Sequence, residues 1–199
     1  LPGGLAVATN LACAAFAAAS GSSVATAAAM GRIAIPEMLR QGYEKGLATG
    51  VVASAGTLGS LIPPSILFVL FGIFAEVSIV KLLIAGVFPG LLTAAVYTLM
   101  IMIRCKLNPS LAPRIDPAEL AALRPERMRS LLQVWPLVAL IVGIIGGLYG
   151  GIVTPTEAGA GGAFLALVIA VSQGRMTVRI FIESLSEAIS ATARIFFVA

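Results

Sequence analysis

Five stretches free of charged side chains, residues 1–31, 46–75, 82–103, 130–156 and 158–174, take up most of this 199-residue chain. A helix crossing a bilayer needs about 20 predominantly apolar residues. Most of the stretches meet that length, and the charges fall at their borders. Charged residues make up 11% of the sequence and hydrophobic ones 59%, whereas soluble domains carry about 25% charged residues. The chain is therefore expected to be an all-α integral membrane protein, a multi-span helical bundle embedded in lipid.

The sequence contains no histidine, which excludes a Ser/His/Asp triad, a Cys/His pair and any histidine-ligated metal. No carboxylate pair falls within an apolar stretch either, so the chain reads as non-enzymatic. Cys13 lies in an apolar run and Cys105 between Arg104 and Lys106; both read as packing residues. The net charge of +4 does not point to nucleic acid, because Lys and Arg gather where apolar segments end. The borders at residues 32–45, 104–129 and 175–179 are rich in Arg and Lys, while the turns near Glu76 and Glu157 hold only Lys81. The former are expected in the cytoplasm and the latter on the opposite side. Leu1 at the start, no recognisable leader, and an apolar run at residues 195–199 make the sequence read as part of a longer membrane protein.

Two interruptions of the apolar pattern single out candidate functional residues. Residues 5–30 are mostly Ala, Gly, Ser and Thr, interrupted at Ser20, Gly21, Ser22 and Ser23. One reading is a single helix close-packed through small residues. The other is a re-entrant hairpin with arms at residues 5–19 and 24–39, meeting at an SGSS tip within the membrane. Irregular backbone at that depth survives only when buried in protein or lining a wet cavity. The second interruption is SAGTLGSLIPPS, with Ser54, Gly56, Thr57, Gly59, Pro63 and Pro64. Two consecutive prolines remove two donors and clash with the preceding turn, which favours a broken helix. The alternative is a kinked helix whose carbonyls are satisfied by the Ser54, Thr57 or Ser60 hydroxyls.

Residues 79–103 supply a further span, punctuated by Pro89 and Gly90, and residues 131–151 another, with Trp135 and Tyr149 near its ends. Asp116, Pro117 and Glu119 resemble the start of a short helix in the polar connection, although a flexible linker accounts for them equally. Glu157, in VTPTE, reads as a first-turn acidic residue with Thr156 capping; contact with a partner protein or proton coupling is the rival role. Glu37, near Arg40, reads as an interfacial charge. Residues 158–172 form the return span, and residues 180–199 begin as an amphipathic stretch carrying Glu183, Glu187 and Arg194.

The motifs GSSVATAAAMGRIAIPEMLRQGY, ATGVVASAGTLGSLIPPSILFVLFGI and GGIVTPTEAGA, joined by VSIVKLLIAGVFPGLL, together resemble the large membrane subunit of tripartite ATP-independent periplasmic (TRAP) transporters, the DctM type. The resemblance runs along nearly the whole chain. It implies the transport domain of a sodium-coupled secondary importer of organic acids, such as C4-dicarboxylates, in the bacterial inner membrane. It implies as partners a small TRAP membrane subunit and a periplasmic substrate-binding protein. It also implies an inverted-repeat, elevator-type fold in which each repeat holds a re-entrant hairpin and a Gly/Pro-broken helix. On that reading residues 1–103 carry the hairpin, broken helix and following span of the first repeat, 104–130 a cytoplasmic linker, and 131–199 the start of the second repeat.

The same resemblance marks Ser20, Gly21, Ser22, Ser23, Ser54, Gly56, Thr57, Gly59, Pro63 and Pro64 as substrate- or ion-binding, with Ser20, Ser22 and Thr57 as sodium candidates and no other cofactor. Sodium favours hard oxygen ligands, which freed carbonyls and hydroxyls supply without burying an uncompensated charge. Many family members carry further Ser or Pro where this chain has Ala55, Gly56 and Ser60, a change that backbone ligation survives. A passive channel and a noncatalytic scaffold subunit are the rival functions.

Overall fold

The computed structural model describes residues 3–113, 134–174 and 176–198. Among them all regular structure is helical: α1 (Gly4–Ser20), α2 (Ser23–Arg40), α3 (Lys45–Gly56), a 3-10 turn (Thr57–Ser60), α4 (Ile66–Phe74), α5 (Ile79–Leu107), a second 3-10 turn (Pro109–Leu111), α6 (Trp135–Tyr149), α7 (Pro155–Ser172) and α8 (Val178–Val198). The possible helix start at Asp116, Pro117 and Glu119, and most of the polar connection, lie outside the described residues. Helices α5 and α7 are long and apolar enough to cross a membrane, and α1 and α6 are shorter apolar helices.

Local chemistry explains the ends of the first three helices. Alanine has the highest helix propensity, and α1 is built largely from it until Gly21, whose φ of 62° ends the helix with its N–H bonded to the Ala17 carbonyl. One residue later Ser22 takes extended geometry, and its hydroxyl accepts from the Ala25 N–H at 3.3 Å, starting α2. Two residues therefore separate α1 from α2, giving a helical hairpin with arms of 17 and 18 residues. At 1.5 Å per residue each arm is about 26 Å long, somewhat short of a hydrocarbon core of about 30 Å. Helix α3 starts on Glu44, whose carboxylate accepts from the Leu47 N–H at 2.7 Å. The N–H groups of Gly46 and Leu47 hold that carboxyl below the ordinary glutamate range.

Two compact units are distinguished, Leu1–Ala158 and Gly159–Ala199. In the first, α1, α2, α3 and α5 pack through small side chains. One buried cluster includes Ala6, Ala34, Met38, Tyr43, Ala48, Val52, Ile101 and Cys105; a second joins Cys13, Ala17, Ala18, Ala55, Leu58, Ile62 and Ala94. Both cysteines are buried and free, as packing residues. The start of α1, the α2–α3 turn and the 3-10 turn that follows α5 are tied at one end: the Tyr43 hydroxyl accepts from the Leu5 N–H at 3.0 Å and Leu111 O from the Glu44 N–H at 3.0 Å. Large apolar residues elsewhere point outward, among them Phe71, Phe74, Phe88 and Leu99, a surface suited to lipid or further protein. In the second unit, Arg179 and Glu183 of α8 form an exposed i,i+4 ion pair at 2.7 Å.

One expectation is corrected at the start of α7. Thr154, not Thr156, caps this helix: its hydroxyl accepts from the Glu157 N–H at 3.3 Å, and Glu157 accepts in return from the Thr154 N–H and hydroxyl, both at 2.8 Å. Pro155 then fills the first helical position, where a missing N–H is harmless. Threonine, two intervening residues and glutamate form a capping box, a spacing that places the cap one residue before the proline. At the end of α2, Glu37 pairs with Arg40 at 2.5 Å on an exposed face, in keeping with an interfacial charge.

Candidate functional site

Ser20, Gly21, Ser22 and Ser23 form the tip of the α1–α2 hairpin, closed by a chain of hydroxyls. Thr26 donates to the Ser22 carbonyl at 2.7 Å, which commits its one proton. The 3.0 Å contact between Ser20 Oγ and Thr26 Oγ1 is therefore donated by Ser20. Thr26 is fully buried, so three oxygens, two hydroxyl and one carbonyl, gather inside the tip.

The helix following α3 is broken, as the paired prolines suggest. Gly56 ends α3, Thr57–Ser60 winds as a 3-10 turn, and α4 starts only at Ile66; the Pro63–Pro64 peptide bond is cis. Hydroxyls back-bond throughout the break, the feature expected of the kinked alternative. Thr57 donates to Ser54 O at 2.6 Å, Ser60 to Thr57 O at 2.7 Å and Ser65 to Ser60 O at 2.9 Å. Ser54 O accepts from the Thr57 N–H as well, and each hydroxyl keeps acceptor capacity after donating its proton.

Tip and break touch directly. A Cβ added to Gly59 would lie 2.6 Å from Ser22 C, 2.7 Å from Ser22 O and 2.7 Å from Ser23 N, so no side chain fits at this contact. Gly21 meets the break from the other side: its carbonyl accepts from the Ile66 N–H at 3.1 Å, and a Cβ there would stand 2.6 Å from Pro64 O. A Cβ already 2.7 Å from that of Ala27 would be the cost of any side chain at Gly56. The structure thus brings Gly21, Ser22, Ser23, Gly56, Gly59 and Pro64 to one junction with α2. Pro63 is buried within the break. The Thr57 hydroxyl bonds the Ser54 backbone carbonyl and, at 3.4 Å, accepts from the Tyr97 hydroxyl of α5, rather than bonding the tip.

At this junction α1 and α3 end while α2 and α4 begin. Carbonyl-rich C-terminal ends attract cations and N–H-rich N-terminal ends attract anions. Among the described residues no group of three or more Cys, Asp or Glu is placed to hold a metal ion, so the oxygens available here are hydroxyl and backbone.

The whole chain, residues 1–199, matches the family described as the tripartite ATP-independent periplasmic transporter, DctM component. The protein belongs to the DctM family. A C4-dicarboxylate TRAP transporter large permease protein DctM of Pseudomonas aeruginosa is 46% identical over 171 residues, covering 84% of this chain and 38% of the relative. An ectoine/5-hydroxyectoine TRAP transporter large permease protein of Ruegeria pomeroyi is 39% identical over 170 residues, covering 85% and 38%. An isethionate TRAP transporter permease protein DctMQ of Oleidesulfovibrio alaskensis is 39% identical over 174 residues, covering 85% and 26%. The chain thus spans well under half the length of these relatives. DctM proteins are membrane transporter permeases rather than enzymes.

Three polar residues of this DctM chain escape the sequence reading. Thr26 lies four positions after Ser22, one helical turn on, a spacing that could have marked it. Asn10 is a lone amide in the apolar α1; it is fully buried and donates to Ala94 O and Thr98 Oγ1 at 3.0 and 2.9 Å. Its Oδ1 has no hydrogen-bond partner among the described residues, a state that costs about 1–3 kcal/mol. Tyr97 carries no signal beyond its hydroxyl, because its role depends on which helix α5 faces.

Proposed function

We propose that this chain runs from the first-repeat hairpin to the start of the second repeat in the transport domain of a sodium-coupled TRAP importer of organic acids, and that its hairpin is re-entrant, with the tip–break junction supplying oxygens to a coupling sodium. The reading rests above all on the backbone contact of Gly59 with Ser22 and Ser23, where two irregular segments that each need polar partners in a membrane lie against one another. Ser20 Oγ, Thr26 Oγ1 and Ser22 O at the tip and Ser54 O and Thr57 Oγ1 at the break are the candidate ligands. The N-termini of α2 and α4 face the same junction and suit an anionic carboxylate beside the cation. Family relatives are named for C4-dicarboxylates, ectoine and isethionate, so the substrate class proposed here is small organic acids, with C4-dicarboxylates as first choice.

On this reading the partners are a small TRAP membrane subunit and a periplasmic binding protein, the complex sits in the bacterial inner membrane, and residues 104–129 face the cytoplasm. The test is uptake of labelled C4-dicarboxylate by the full-length permease, reconstituted with both partners, under an inward sodium gradient. Uptake should require the binding protein and collapse when choline replaces sodium. Equal uptake in choline would overturn the coupling, and absence of substrate counterflow would favour a passive channel. Orientation is checked in intact cells with Ser110→Cys: an impermeant thiol reagent added outside should leave it unlabelled, and rapid labelling reverses the assignment.

A further inference from the structure

Ala94, Tyr97 and Thr98 share one face of α5 through i,i+3 and i,i+4 spacing. Asn10 of α1 donates one amide proton to Ala94 O and the other to Thr98 Oγ1, and Thr98 donates its own proton to Ala94 O at 2.8 Å. On the same face, the Tyr97 hydroxyl lies 3.4 Å from Thr57 Oγ1. One side of α5 therefore touches a polar group on the arm leading to the tip and a polar group opening the break. The Asn10 contact lies outside the junction, and the Tyr97 contact ends on Thr57, a candidate ligand at the break.

The surroundings say why such contacts are needed. Helices α1, α3 and α5 meet through Ala17, Ala18, Ala55 and Ala94, and alanine faces have shallow ridges that resist axial sliding poorly. A two-proton hydrogen bond from a fully buried amide fixes that translation. Asn10 precedes Ser20 by ten positions, about 15 Å along one helix, so an axial shift at Asn10 is carried rigidly to the tip. Ligand geometry around a bound group has to hold within about 0.5 Å. Asn10 also accepts the cost of an orphaned Oδ1, which an apolar side chain at the same place would avoid.

We propose that Asn10 and Tyr97 are positioning residues, acting through α5 to set the register of the hairpin tip against the helix break and thereby the affinity of the ion site between them. The ion half of this statement rests on the sodium reading above; the register half does not.

The experiment uses the full-length transporter with its partners and two readouts. In uptake assays, Asn10→Ala and Thr98→Val should each raise the half-saturating sodium concentration about five- to tenfold at near-normal maximal rate and protein level. The two together should do no more than Asn10→Ala alone, since that change already removes the bond to Thr98 that Thr98→Val breaks. Thr98→Ser, which keeps the hydroxyl, should behave as wild type. Tyr97→Phe should give a smaller rise that does not add to that of Thr57→Ala. In the second readout, Ser23→Cys and Ser60→Cys, flanking the Ser22–Gly59 contact, are cross-linked in a background with the native cysteines replaced. Asn10→Ala and Thr98→Val should slow cross-linking several-fold, and Thr98→Ser should not. Unchanged cross-linking in both variants, or a lower protein level with unchanged sodium dependence, would reduce Asn10 to a packing residue and overturn the proposal. If wild-type uptake proves independent of sodium, the ion reading fails on its own, and cross-linking alone decides the register.

Discussion

Pro89 lies inside α5 and leaves it continuous from Ile79 to Leu107, whereas the chain around Pro63 and Pro64 has no α-helical turn between Gly56 and Ile66. Pro36 behaves like Pro89, within α2. A single proline removes one donor and strains one turn, a loss that a long, packed helix absorbs. At the break two prolines are adjacent, and alternative partners stand ready: the hydroxyls of Thr57, Ser60 and Ser65 take the carbonyls of Ser54, Thr57 and Ser60, and Gly21 O takes the Ile66 N–H. Whether proline breaks a helix thus depends on what pairs the freed backbone groups. The break is a built feature with its own hydrogen bonds, and the hairpin tip is one of its partners.

The largest effect is expected where the two irregular segments meet. Gly59→Val places branched atoms where even a Cβ would lie 2.6 Å from the Ser22 backbone, and should abolish uptake by separating break from tip. Gly50→Ala is its control, because nothing lies within 4 Å of a Cβ at Gly50 on the same helix run; it should leave uptake unchanged. Equal uptake in both variants would show that the contact carries no function.

Next come the prolines themselves. Pro89→Ala should leave transport within about twofold and slightly raise stability, since it restores one helical donor. Replacing both Pro63 and Pro64 by Ala should cost at least about tenfold in uptake, because regular helix through this segment would pull Ile66 N–H from Gly21 O. Similar losses from the two changes would mean that pairing of the break with the tip does not set the cost. Smaller again are the single ligand changes. Ser22→Ala or Thr57→Ala should raise the half-saturating sodium concentration by about three- to tenfold and leave substrate affinity of the binding protein untouched. Unchanged sodium dependence at normal protein level in both would favour a purely structural role for the hydroxyls.

The contrast also shows what can be read from a sequence of this kind. Helical spans, the SGSS interruption and the failure of the helix before Pro63 all follow from local causes: charge-free length, residues with free hydroxyls or no Cβ, and missing backbone donors. The meeting of Gly59 with Ser22 does not, because glycine is equally compatible with a turn, a kink or a close approach, and only the partner distinguishes them. Asn10 and Tyr97 were illegible for a related reason. A lone amide in an alanine-rich helix looks like an imperfection of the apolar pattern until the helix opposite is known to offer a carbonyl and a hydroxyl. Thr154 is legible in principle, since the threonine–glutamate spacing of a capping box is local, but Thr156, next to Glu157, offers a competing cap in the sequence.

The smallest effect belongs to the end of the unit away from the tip, and it sharpens the comparison by being independent of it. Glu44 caps α3 through the N–H groups of Gly46 and Leu47, which hold its carboxyl below the ordinary glutamate range, with Arg104 adding to the same direction and desolvation opposing it. A carboxyl depressed in the folded state contributes stability that is fully present above its unfolded value, about 4.3, and is lost as pH falls through the lower folded value. Glu44→Gln should therefore lower thermal stability slightly at neutral pH and flatten its decline below about pH 4.3, while leaving the half-saturating sodium concentration unchanged. Thermal unfolding of the detergent-solubilised protein from pH 7 down to pH 3, read beside uptake at pH 7, measures both. A parallel decline in wild type and variant would remove the cap from the acid response, and a shift in sodium dependence would show that the tied end of α1, α3 and α5 reaches the junction energetically.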